Sequence, residues 1–247
     1  MWTCTDDIEG KKIYPVTEYS RSNSIALLIS NIHFNNPRLN LHGADAHAMG
    51  NLLNYLGYEA IDDKIISFSK HRKLFNTDSV FVVIMSHGNL GTICGSDNQN
   101  FEIDHIYERL NTKNCPALMN KPKVIIIQAC RGGNEGIVDI SGSTQLRARE
   151  NSYPLKNNNG GKAHIEKDFI GFYSTTPYTT AFGKLGSVSD FIKHICDVIF
   201  ARCHQDDIEE LFKKVMQRFE DSPSELKQMP TRETLTKHFY LFPGSAI

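Results

Sequence analysis

Val124-Ile125-Ile126-Ile127-Gln128-Ala129-Cys130-Arg131-Gly132-Gly133 is the stretch on which the fold turns. Four branched apolar residues in a row fit a strand buried on both faces, which a parallel sheet provides. The run stops at Gln128 and passes through Cys130 into a glycine pair that breaks it. Three other runs share this form: Ile25 to Ile29, Val80 to Met85 and Phe169 to Tyr173. Helical patterns alternate with them. Ala44 to Leu56 puts Ala48, Leu52, Leu53 and Leu56 on one face, and a second helix is expected over Asp190 to Arg202. Asp206 is placed to cap a third, carrying Ile208, Leu211, Phe212, Val215 and Phe219. Leu235 to Gly244 reads as a last strand stopped by Pro243-Gly244. The fold class is therefore α/β, a mostly parallel sheet with helices on both faces.

The wider composition is consistent with one sizeable core. The chain has 247 residues, 40% hydrophobic and 22% charged, with a net charge of −1. That balance supplies no nucleic-acid footprint or membrane-surface patch. No apolar run approaches a transmembrane length, and Met1 to Asp7 is not a secretory signal. The cysteines, at 4, 94, 115, 130, 196 and 203, form no CxxC pair, so neither a metal site nor a cofactor is expected. Reduced thiols and a cytoplasmic location follow as expectations. Asn134 to Lys162 is rich in Gly, Ser and Asn and reads as an exposed linker.

Two strands end in reactive residues. Val80 to Met85 runs into Ser86-His87-Gly88, and the quoted strand runs into Cys130. In a parallel sheet the carboxyl ends of strands form the ligand-binding rim, which puts His87 and Cys130 together. A thiolate is the attacking form of cysteine and needs a base, and histidine titrates near neutral pH. The N–H groups of Gly88 and Cys130 could form an oxyanion hole. Taken singly, a cysteine here is a small buried hydrophobe and a histidine a structural one. The pair on one rim favours a nucleophile and its base.

Gln128-Ala129-Cys130-Arg131-Gly132 fits the pattern Q-A-C-[RQG]-G, with His87 lying 43 residues upstream against about 50 for the pattern. With Met85-Ser86-His87-Gly88, Ile93-Cys94-Gly95, Lys121 to Ile126, His164 to Ile170 and Phe239 to Gly244, the sequence resembles the caspases, in particular their inflammatory branch. The resemblance runs from about Ile25 to Gly244. It implies a three-layer α/β sandwich around a six-stranded sheet. It also implies a large-subunit-like part over 1–139, a linker over 140–167 and a small-subunit-like part over 168–247. The dyad His87–Cys130 would hydrolyse peptide bonds in protein substrates. The strand around Thr236 to Leu241 would sit in a homodimer, or in a heterodimer with another caspase.

The sequence departs from the family in the pocket for the residue before the scissile bond. Caspases cleave after aspartate, held by two arginines and a glutamine. Gln128 matches the glutamine. The first arginine position, two before Gly43-Ala44-Asp45, is Leu41. The second falls on Gly183 in Ala181-Phe182-Gly183, where Phe182 keeps an apolar wall. Arginine grips a carboxylate through paired charge-assisted bonds, and neither arginine is present here. Arg38 and Lys184 are the neighbouring cations that a loop shift could bring inward. Ile61 to Phe75 is short for the helix the family places there. The inflammatory members carry a recruitment domain ahead of this region. The chain leaves no room for one, and adaptor recruitment is not expected. Asp139, alone among aspartates between Cys130 and Asp168, admits two readings: a maturation cleavage site or an ordinary loop residue.

Two functions remain open on these residues. The intact dyad favours a cysteine endopeptidase with an altered aspartate pocket. The missing arginines favour a caspase-like decoy that pairs with an active relative and regulates it.

Overall fold

The computed structural model describes residues 12–15, 17, 23–133, 168–181, 187–221, 228–233, 235 and 237–241. The linker, Asp139, Phe182, Gly183, Lys184 and Thr236 lie outside the described residues. In chain order the elements are β1 (Ile25–Ser30), α1 (Ala44–Tyr55), β2 (Glu59–Ile61), α2 (Ile65–Phe68), β3 (Val80–Met85), β4 (Gly88–Asn89), β5 (Thr92–Cys94) and β6 (Asn100–Glu102). There follow α3 (Asp104–Leu110), β7 (Lys123–Gln128), β8 (Phe169–Tyr173), α4 (Asp190–Arg202), α5 (Ile208–Glu220) and β9 (Thr231–Arg232).

The main sheet has the order β2-β1-β3-β7-β8-β9. The first five strands pair in parallel, and β9 pairs antiparallel to β8. The apolar runs split by alternation between two cores. Phe81, Val83, Val124, Ile126, Ile170 and Phe172 face α1, α4 and α5. Val80, Val82, Ile84, Ile125 and Ile127 face the opposite layer, with Phe68 of α2 and Ile106 and Leu110 of α3. Phe172 stacks on Phe212 of α5 at a centroid separation of 4.1 Å and tilts against Phe191 of α4 at 5.0 Å. This is the expected sandwich, with the strands buried on both faces because helices cover both. Between β2 and β3 the chain forms only the one-turn α2 and a 3-10 turn at Arg72–Phe75, in keeping with the shortness of that stretch.

Three sequence expectations change. Leu235 to Gly244 is not a sheet strand over its described part. His238 bridges Ile13 and Tyr240 bridges Asp207, while the sixth strand is β9. Phe239 and Leu241 are buried, but the backbone partners of this stretch are an N-terminal segment and the start of α5. The cap of α5 is Asp207, which accepts from Glu210 N at 2.9 Å. Asp206 instead pairs with Arg202 and Lys214 at 3.1 and 3.3 Å. On α1 the buried face is Met49, Leu52 and Leu53, continued by Leu56 just past its end, and Ala48 is only partly buried.

The capping difference is measurable. Asp207→Ala removes the cap and a carboxylate that also pairs with His238. It should lower unfolding stability by about 1–2 kcal/mol. Asp206→Ala loses only surface ion pairs and should cost about 0.5 kcal/mol or less. Urea unfolding of the two variants checks this order.

Candidate active site

The strands β3 and β7 lie side by side with Met85 opposite Gln128. Ser86 N donates to Gln128 O at 3.1 Å, so the pairing continues one residue past β3. His87 and Cys130 therefore leave neighbouring strands at the same end of the sheet. Both line one cavity of about 230 Å³, and no hydrogen bond directly joins them.

The His87 ring is fixed from two sides. Its Nε2 lies 2.8 Å from the Leu39 carbonyl. A carbonyl only accepts, so Nε2 carries the hydrogen, and in the neutral ring Nδ1 is the basic nitrogen. The ring also packs against Phe34 at 5.3 Å between centroids. Its backbone is held by the β4–β5 hairpin, where Cys94 N donates to His87 O at 2.8 Å. Ser86 Oγ and Asn31 Nδ2 both donate to Cys94 O, at 2.7 and 3.0 Å.

The same hairpin orients Gly88. Because His87 and Cys94 are a hydrogen-bonded pair, Gly88 and Ile93 are a non-bonded pair, and the Gly88 N–H points away from β5. A Cβ at Gly88 would lie 2.8 Å from Thr92 O and 2.9 Å from Cys130 O. Only glycine lets this backbone approach Cys130 so closely.

Cys130 sits on a turn secured by Ser174, whose Oγ accepts from Ala129 N at 3.2 Å and donates to Ala129 O at 3.0 Å. Arg131 and the segment 178–179 form a tight seam: Tyr178 N donates to Arg131 O at 2.8 Å and Arg131 N to Thr179 O at 2.9 Å. The seam lays Ala181 against the thiol. Ala181 N lies 3.4 Å from Cys130 Sγ, and the thiol faces Ala181 O at 3.6 Å. Arg131 turns away from the cavity, with its guanidinium 4.5 Å from the Tyr173 ring centre.

Burial separates this cysteine from most of the others. Cys115, Cys196 and Cys203 are buried, and burial pushes their thiols up, Cys196 to about 12. Such thiols stay protonated and inert. Cys130 and Cys94 are half-buried, and only Cys130 lines the cavity.

Of the residues assigned to substrate binding, Gln128 and Leu41 line the cavity, while Phe182 and Gly183 fall outside the described residues. Arg38, the cation that a loop shift could bring inward, is exposed and is not part of the described lining. Gln128 is 9% exposed, and its Oε1 is buried without a partner. The sequence did not indicate the Leu39 carbonyl, the Ala181 peptide or the contribution of His42, Asp45, Ser187 and Ser189 to the walls. Asp45 Oδ1 accepts from Ser189 N at 2.7 Å, which ties the start of α1 to the cap of α4. Burial raises its carboxyl above the usual range, and the bonds from Ser189 oppose that rise. Among the described residues no group of three or more His, Cys, Asp or Glu is arranged to hold a metal ion.

Known proteins place this architecture. Residues 23–240 match the family model described as Caspase domain. Caspase a of Danio rerio is 37% identical over 96% of this chain and 66% of its own length. Caspase-12 of Rattus norvegicus is 36% identical over 99% of this chain and 64% of its own. The chain thus spans just under two thirds of the length of these relatives. The crystal structure of caspase-1 from Spodoptera frugiperda superposes with a TM-score of 0.77 at 18% identity, covering 100% of both chains. Its likeness extends to the fold. The family model and the curated relatives go further, and on them the chain belongs to the caspase family.

Proposed function

We propose that this chain is a cysteine endopeptidase in which Cys130 attacks and His87 is the base. One observation carries the reading: the Leu39 carbonyl takes the Nε2 hydrogen of His87, which leaves Nδ1 as the proton acceptor on a cavity that Cys130 shares. Nδ1 takes the thiol proton as sulfur adds to the peptide carbonyl. The N–H groups of Gly88 and Cys130 receive the developing oxyanion. The imidazolium returns the proton to the departing amine, and water then hydrolyses the thioester. For a peptide to enter, the Ala181 backbone must give up its contact with the thiol.

The pocket beside the nucleophile takes a residue other than aspartate. Its described lining includes Gln128 and Leu41 and no arginine. The same observation favours a second reading, a decoy that dimerises with an active relative and cleaves nothing. A peptide library incubated with the purified protein, with Cys130→Ala as the blank, separates the two. Cleavage above the blank, at residues other than aspartate, is expected. Signal at the level of the blank, together with co-purification of an active caspase, would give the chain to the decoy reading.

A further inference from the structure

We propose that Asn31 is a positioning residue that aims the N–H of Gly88 at the oxyanion, acting through the carbonyl of Cys94. The inference rests on the peptidase reading of Cys130 and names a further residue on which that site depends.

Asn31 follows β1, and its N–H donates to Met85 O at 2.9 Å, so its backbone is anchored in the middle of the main sheet. Its side chain reaches the hairpin instead. Nδ2 donates to Cys94 O at 3.0 Å and to Ser86 Oγ at 3.3 Å, while Ser86 Oγ donates to Cys94 O at 2.7 Å. The network fixes its own donors. A carbonyl only accepts, so the amide atom facing Cys94 O is nitrogen, and a hydroxyl that spends its hydrogen on that carbonyl accepts from Asn31. Both lone pairs of Cys94 O are then taken. The other side of residue 94 completes the path, because Cys94 N donates to His87 O at 2.8 Å. His87 O and Gly88 N belong to one peptide unit, which is planar and trans. Its N–H points opposite to its C=O. Holding His87 O towards β5 therefore turns the Gly88 N–H to the other side, at the residue whose backbone closes on Cys130. The strands β4 (Gly88–Asn89) and β5 (Thr92–Cys94) are too short to hold that plane by their own pairing. Asn31 ties them to the sheet, and an oxyanion donor is effective when its direction is set before charge develops.

The test separates acylation, which uses the oxyanion donor, from alkylation, which does not. Iodoacetamide reacts at a saturated carbon: the Cys130 thiolate forms the new C–S bond as iodide leaves, and no oxyanion develops. Asn31→Leu keeps the branched shape and carries neither donor nor charge. For the best peptide of the library it should lower kcat by about 10- to 100-fold, less than the outright loss of a donor costs, with KM within about threefold of wild type. Alkylation of Cys130, followed by mass on the peptide that contains it, should keep its rate and pH profile within about twofold. A kcat within about threefold of wild type would overturn the proposal. So would alkylation slowed in step with kcat, which would make Asn31 a support of the dyad or of the fold. A wild-type protein that cleaves no peptide would end the peptidase reading and this inference with it, whereas an active wild type beside an equally active Asn31→Leu would end this inference alone. Should Asn31→Leu fail to fold, Ser86→Ala decides. It removes the other donor on Cys94 O, so the same split at about three- to tenfold in kcat is expected, and an unchanged kcat overturns the proposal.

Discussion

Replacing His87 by alanine is expected to lower kcat/KM for the best peptide by about 10²–10⁴-fold, the range that a positioned general base supplies. The geometry sets the reason. Nε2 is committed to the Leu39 carbonyl, so Nδ1 alone serves the thiol, and among the described residues no second imidazole is fixed beside Cys130 in the same way. His87→Gln makes the argument sharper. Glutamine can donate to Leu39 O and fill much of the same space, yet it has no basic nitrogen. If the histidine only props the rim, glutamine should restore activity. If it accepts the proton, glutamine should be as slow as alanine. The double variant with Cys130→Ala should be no slower than Cys130→Ala alone, because nucleophile and base act as a unit. Activity within about tenfold of wild type in His87→Ala would remove the base from the mechanism.

The parts of this site that sequence could reveal are those carried by side chains at strand ends. Val80 to Met85 and Val124 to Ile127 announce their burial by unbroken apolar runs, and the residues that follow must then share a rim. The parts it could not reveal are backbone groups. The Leu39 carbonyl and the Ala181 peptide touch the dyad through atoms that every residue owns. β9 is two residues long, Thr231-Arg232, and offers no period to detect. The strand expected near the C-terminus shows the converse limit. Phe239 and Leu241 are buried as apolar residues in such a stretch should be, but an apolar run does not say which backbone is on the other side. Asp206 and Asp207 are equally good caps by composition, and only the turn of the chain selects the second. Asp45 was visible as part of Gly43-Ala44-Asp45. Its place on the cavity wall emerges only when α1 and α4 meet at Ser189.

Gly132→Ala is expected to be the most damaging single methyl in the molecule's active end. Gly132 has φ of +150°, and a Cβ there would fall 2.5 Å from the Cα, C and O atoms of Tyr178. Those are backbone atoms, so no rotamer change relieves the clash. Tyr178 is itself held at φ of +70°, with its N–H bonded to Arg131 O at 2.8 Å, and it has little room to retreat. The seam between Arg131 and Tyr178–Thr179 must therefore open. Opening it costs about 2–4 kcal/mol of unfolding stability, the sum of backbone strain and lost hydrogen bonds. It also releases Ala181 and the turn that aims Cys130, so cleavage should fall by about 10²-fold or more even where the protein stays folded. Gly133→Ala is the matched control. A Cβ at Gly133 meets nothing within 4 Å, so that variant should stay within about 0.5 kcal/mol of wild type and remain active. Urea unfolding and kcat/KM measured on both variants test the argument together. Equal behaviour of the two would mean that the seam does not hold the nucleophile. A large gap would explain physically why a glycine stands two residues after Cys130, while its neighbour at 133 is free to change.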